Sequence, residues 1–224
     1  MNRRTTLAVL GAMLLTLAVP AVAAGTAVTI RIEGRGKTLL LPTTVHTRFG
    51  SITKFGAPSG KCPASSGQGA LDVGTRGRWV GTWNTQFNEY FITSILGEKP
   101  SGHDFWEIFA DNKAAQVGAC DLKLHAGEQL LFANESGKVN PASLSAPRRV
   151  VVGKRFKVKL VGYDAKGKAK PLSRVLITGD RGIIPVKTDR QGSANVIAPL
   201  LGNVVLRAAP KGYLRAEAVV HVTR

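Results

Sequence analysis

Between Glu89 and Phe132 the chain reads EYFITSILGEKPSGHDFWEIFADNKAAQVGACDLKLHAGEQLLF. Three strand-like runs stand in and around it, "YFITSILG", "DFWEIFAD" and "EQLLFAN", separated by Gly, Pro and Asn turns. Alternation along "FWEIFAD" buries one of Phe105 and Trp106 and turns the other outward. The Asp111-Asn112-Lys113 turn then projects from the sheet, and Gly118 and Cys120 follow it. Upstream, "TAVTIRIEG" alternates Val28, Ile30 and Ile32 with Thr29, Arg31 and Glu33, "GRG" turns the chain, and "KTLLLPTTV" returns as a hairpin. "GALDVGTR" reads as one short helix ended by Gly77. Two strands, a short helix and a run of strands suit a small mixed sheet folded over one helix.

The remainder, from about residue 137, has a different texture. "KRFKVKLVGY", "SRVLITG", "IIPVKT", "SANVIAP", "NVVLRAAP" and "LRAEAVVHV" are short alternating strands. Asp164-Ala165-Lys166-Gly167 and Asp189-Arg190-Gln191-Gly192 are turns between them. This spacing, with no helix signal, predicts a β-sandwich of immunoglobulin type. It carries neither cysteine nor tryptophan, so it lacks the disulfide-and-Trp core of antibody domains. The expected class is therefore mainly β, α+β followed by all-β, over 25–136 and 137–224.

Residues 1–24 read as an address. "MNRRTT" is basic, "LAVLGAMLLTLAV" is an apolar run of signal-peptide length, and Ala21-Val22-Ala23 is a small-x-small cleavage pattern. Export is expected by the general route, with the twin-arginine route raised by Arg3-Arg4, to a secreted or cell-surface location. No second apolar run follows, so no transmembrane segment is expected after cleavage. Two cysteines in an exported chain, Cys62 and Cys120, predict one disulfide closing a loop of 58 residues.

The net charge is +17, and cleavage removes Arg3 and Arg4 to leave +15. Such a field draws polyanions, an anionic cell-envelope polymer among them. The dense stretch "RRVVVGKRFKVK", however, alternates its cations with apolar residues, which places them on one solvated strand face. No specific nucleic-acid partner is expected.

Catalytic patterns are absent. "EGRGKT" fails as a phosphate loop, because Arg31 stands where the first glycine belongs and a strand follows. His46, His103, His125 and His221 show no metal-ligand spacing with one another, so neither a metal nor a catalytic residue is assigned. No Gly-x-Ser-x-Gly elbow is present. Asn134-Glu135-Ser136 matches a glycosylation sequon. Trp79 and Trp83, four apart in "RWVGTWN", share a strand face and serve either the core or a ligand platform.

From Ala27 to Phe132 the sequence resembles the transcobalamin-like C-terminal domain, a β-grasp family. The "ITSI-Gly" strand, the acid-aromatic-Trp strand, the polar turn, "Gly-x-Cys" and "Gly-Glu" before an apolar closing strand carry the resemblance. It implies a β-grasp module that binds a soluble ligand or polymer, with Phe105 to Lys113 facing it. Cobalamin is the ligand in animal carriers of this family, where a large helical domain forms the other wall. That domain has no counterpart here. The candidate ligand-binding residues are Trp79, Trp83, Phe105, Trp106, Asp111, Asn112 and Lys113. The function expected is a non-enzymatic exported binding or adhesion protein, with a cobalamin-type carrier as the other reading.

Overall fold

The computed structural model describes residues 25–137 and 139–224; the expected signal peptide lies outside the described residues. The chain is mainly β. In the first half, β1 (Ala27–Glu33) and β2 (Thr38–His46) form the hairpin read from the sequence, α1 (Gly67–Thr75) follows, and β3 (Trp79–Asn84) and β4 (Glu89–Ile95) pair as a second hairpin. Next come β5 (Phe105–Ala110), β6 (Lys113–Ala114) and β7 (Gln129–Glu135). The mixed sheet has the order β2-β1-β7-β5-β6, with β7 parallel to β1 and antiparallel to β5. A last strand lying parallel beside the first, over one helix, is the arrangement the β-grasp resemblance implies. The sequence reading ran the later strands together; β3 and β4 instead leave the main sheet as a ribbon of their own.

Helix α1 is an unusual sequence, with glycines at 67, 69 and 74. Close approach explains two of them. A Cβ at Gly69 would run into the Ala64 carbonyl, and one at Gly74 would press on Ile30 of the sheet. Ser66 makes no side-chain cap; the opening N–H groups of the helix are satisfied from a distance. Gly67 N donates to the Leu122 carbonyl (3.0 Å) and Gln68 N to the Ala119 carbonyl (2.8 Å). The Cys62–Cys120 disulfide, S–S 2.02 Å, closes between those two carbonyls and the segment entering the helix. At the other end Arg76 (φ 55°) takes the left-handed cap position and Gly77 donates to the Asp72 carbonyl.

The second half contributes β8 (Ala142–Ser145), β9 (Arg149–Val151), β10 (Arg155–Tyr163), β11 (Ala169–Pro171), β12 (Leu176–Gly179), β13 (Val186–Lys187), β14 (Ser193–Ile197), β15 (Gly202–Ala208) and β16 (Ala216–Thr223). One sheet runs β11-β10-β14, with β8 also on β10; the other runs β13-β12-β15-β16-β9. Both contribute to one apolar core, built on Val158, Leu160, Ile177, Val204, Leu206 and Val220. Along β10 the alternation is strict: Phe156, Val158 and Leu160 are buried while Arg155, Lys157 and Lys159 are exposed. The cations of this basic stretch thus occupy the solvated face.

One face of the mixed sheet, with Val28, Ile30, Ile32, Leu130 and Phe132, packs on α1 and the β3–β4 hairpin. The opposite face is also covered. Phe109, Leu131 and Ala133 meet Leu214 of the second half, and Arg31 and Glu33 are buried beside them. Arg31 donates to the carbonyls of Arg215 (2.8 Å) and Ala142 (3.3 Å); Arg215 donates to Glu33 (3.2 Å) and to the Gly34 carbonyl (2.9 Å). Burial pushes the Glu33 carboxyl up, against the pull of Arg31, Thr38 and Arg215. Those charges are buried because residues some 180 positions later in the chain lie across them.

Candidate functional site

The seven candidate ligand-binding residues are not all brought to one place. Trp79 is 2% exposed, its Nε1 donating to Asp72 (2.8 Å), and it packs edge-on against Tyr90 and Phe55 with ring centroids at 4.9 and 5.2 Å. Trp83 meets the other side of Tyr90 at 5.1 Å and is half-buried. The shared face of these tryptophans is therefore the inward face, and core packing, the other reading of the pair, is the one the geometry supports. Trp106 is buried in the same core. Phe105 is exposed at the start of β5, and Asp111, Asn112 and Lys113 lie at its far end. The six-residue length of β5 separates them, roughly 20 Å of extended chain.

The outward face of the second hairpin is what the sequence reading missed. Tyr90 points in, so Phe91 points out, 67% exposed, and Phe87 in the hairpin loop is 65% exposed. The alternation that assigned Trp79 and Trp83 to one face carries this signal, had it been extended across the turn. Phe87, Phe91 and Val117 border a groove of about 420 Å³, whose polar side holds Asn84, Glu89 and Asp121. Its walls are fixed. The Glu89 carboxylate accepts from Cys120 N (2.9 Å) and from Tyr90 N (3.0 Å), joining the hairpin to the disulfide loop, and burial pushes its pKa up. Tyr90 donates to the Lys54 carbonyl (2.7 Å); burial, then the charges of Asp72 and Glu89, push its phenol up to about 12. In the hairpin loop Asn84 Oδ1 accepts from Gln86 N and Phe87 N.

The far end of β5 carries a second arrangement. Asp111 (φ 45°) and Asn112 (φ 65°) form the left-handed turn into β6. Asp111 N donates to the Gln129 carbonyl (2.9 Å), and Gln129 N donates back to Asp111 Oδ1 (3.0 Å). This brings Asp111 to the loop before β7, where His125 Nε2 lies 3.1 Å from Asp111 Oδ2 and 3.9 Å from Glu128 Oε1. His125 thus gains two acidic neighbours that histidine spacing alone could not reveal. The nearby residues Asn112, Gly127 and Gln129 line a cleft of about 690 Å³ between the mixed sheet and the strands β8 and β16.

Residues 81–136 match the model of a family described as a domain of unknown function, DUF4430. The match agrees with the transcobalamin-like resemblance. It begins inside β3 and ends just past β7, so it takes in both the aromatic groove and the Asp111–His125–Glu128 group. No curated protein matches the chain. No helix among the described residues is long and apolar enough to cross a membrane.

Proposed function

We propose that this is an exported, non-enzymatic binding protein whose β-grasp module takes a cell-envelope glycan or surface protein on the β3–β4 hairpin. One observation carries the reading: Phe87 and Phe91 stand exposed on a hairpin that a disulfide, Glu89 and Tyr90 hold rigid. Exposed aromatics normally cost solubility; on a fixed frame beside polar groups they offer a stacking surface with hydrogen-bonding partners at its edge. The immunoglobulin-like sandwich is the spacer, and its outward cations add a long-range attraction to an anionic envelope.

Sedimentation with isolated cell envelope tests this. The chain beginning at Gly25 is compared with its Phe87→Ser/Phe91→Ser variant at low and high salt. Salt-resistant binding that the variant loses supports the hairpin. Binding that salt abolishes equally in both leaves only the charge, and overturns the reading.

The cleft of about 690 Å³ favours a second reading, a small-molecule carrier of the cobalamin kind. A visible-spectrum titration with cobalamin decides it: an unchanged spectrum with no retained ligand removes that reading.

A further inference from the structure

We propose that Asp111, His125 and Glu128 form a binding site for a divalent transition-metal ion of the zinc type. Their ligand atoms lie within 4.8 Å of one another. What distinguishes the group from a chance ion pair is how each side chain is held. Every one of them uses one polar atom on the backbone and leaves the other turned toward a common point. Asp111 spends Oδ1 on Gln129 N (3.0 Å) and turns Oδ2 to His125 Nε2 (3.1 Å). Glu128 spends Oε2 on His125 N (3.0 Å) and leaves Oε1. His125 sets Nδ1 against the Ala126 carbonyl (3.3 Å) and turns Nε2 to Asp111 Oδ2 (3.1 Å), a contact that a protonated ring makes by donating and that an ion takes over once Nε2 is deprotonated.

The separations suit a single ion. Zinc bonds to nitrogen and carboxylate oxygen of about 2.0–2.2 Å, at tetrahedral angles, place ligand atoms roughly 3.4 Å apart. The observed 3.1 and 3.9 Å bracket that figure. One nitrogen with two carboxylate oxygens is a zinc-type donor set, since magnesium and calcium take oxygen alone. Three protein ligands leave a fourth position open, and it faces solvent, with the Asp111 and His125 side chains 50% and 65% exposed.

Glu128 supplies the independent argument. Its side chain is only 7% exposed, yet Oε1 accepts no hydrogen bond among the described residues and is aimed at His125 Nε2. A carboxylate charge whose side chain is this far withdrawn from water is costly unless a cation stands beside it. Asp111 and Glu128 each adjoin the paired ends of β5 and β7, which fixes their backbone.

The test is calorimetric titration of the untagged chain beginning at Gly25 with zinc chloride and, separately, cobalt(II), alongside thermal melting. The expected result is one zinc per chain, a visible cobalt absorption band and a rise in melting temperature with zinc. The exposed variants His125→Ala and Asp111→Asn, checked for unaltered circular dichroism, weaken binding at least ~10-fold and lose the melting shift. Because the bound imidazole must be neutral, affinity also falls as the pH is lowered and His125 takes up a proton. Absence of binding overturns the proposal. So does binding that both variants retain, which would place the ion at another histidine such as His46 or His221.

Discussion

Replacing Cys62 and Cys120 with alanine opens a loop of 58 residues that contains α1, the β3–β4 hairpin and β5. The chain-entropy relation assigns such a loop about 4 kcal/mol at 25 °C. Packing acts in the same direction. Both cysteines are buried, and the loop that carries Cys120 supplies the carbonyls of Ala119 and Leu122 to the first turn of α1. With a urea dependence of about 2 kcal/mol per molar, a loss of about 4 kcal/mol moves the unfolding midpoint down by about 2 M. All three tryptophans, Trp79, Trp83 and Trp106, lie in the first half, so tryptophan fluorescence reports that half alone. Far-ultraviolet circular dichroism sees the sandwich too. The expected outcome is a fluorescence transition about 2 M lower than in the wild type, with a later dichroism transition left behind. A fluorescence midpoint within about 0.3 M of the wild type would refute the reasoning, since packing alone would then be ordering the loop.

Three further outcomes follow from buried groups and close contacts. Burial first, then the neighbouring Glu135, raises the Glu107 carboxyl from its ordinary 4.5 to about 8. Its folded value exceeds the unfolded one, so the contribution is complete below about pH 4.5 and lost as pH rises through about 8; urea midpoints at pH 5, 7 and 9 should fall, and Glu107→Gln should flatten that decline. Arg215→Ala removes one of the two cations paired with buried Glu33 and leaves Arg31 at 3.7 Å, which costs about 3 kcal/mol and should separate the fluorescence and dichroism transitions of the two halves. Gly69→Ala would add about 1 kcal/mol of helix propensity, but its Cβ meets the Ala64 carbonyl, so the unfolding free energy from a urea titration should drop by the 1–3 kcal/mol typical of overpacking.

Local pattern carried much of the fold. The β1–β2 hairpin, the position of α1 and the alternating strands of the second half all come from apolar periodicity and turn residues that act over a few positions. The cysteine pair needed only its count and the expectation of export. What stayed illegible depends on distant chain. Alternation in β1 set Arg31 and Glu33 against the apolar face, and nothing near them in sequence signals burial. Leu214 and Arg215 do that, and only the three-dimensional docking of the halves brings them there.

The two candidate sites divide along the same line. Phe91 was legible, because a strand that turns Tyr90 inward must turn its neighbour out, but the alternation was followed only through Trp79 and Trp83. The Asp111–His125–Glu128 group was not legible, because it depends on strand register. Ala110 opposite Leu130 sets Asp111 beside Gln129; a shift of one residue would turn its carboxylate to the other face. That register is fixed by apolar residues, Phe109 opposite Leu131 and Ile108 opposite Phe132, which have no part in binding. The same pairs place Phe109 and Leu131 against Leu214. Core packing thus sets the docking of the halves and the convergence of three polar side chains together. A substitution such as Leu131→Ala should therefore loosen both, while one at Phe91 should disturb neither.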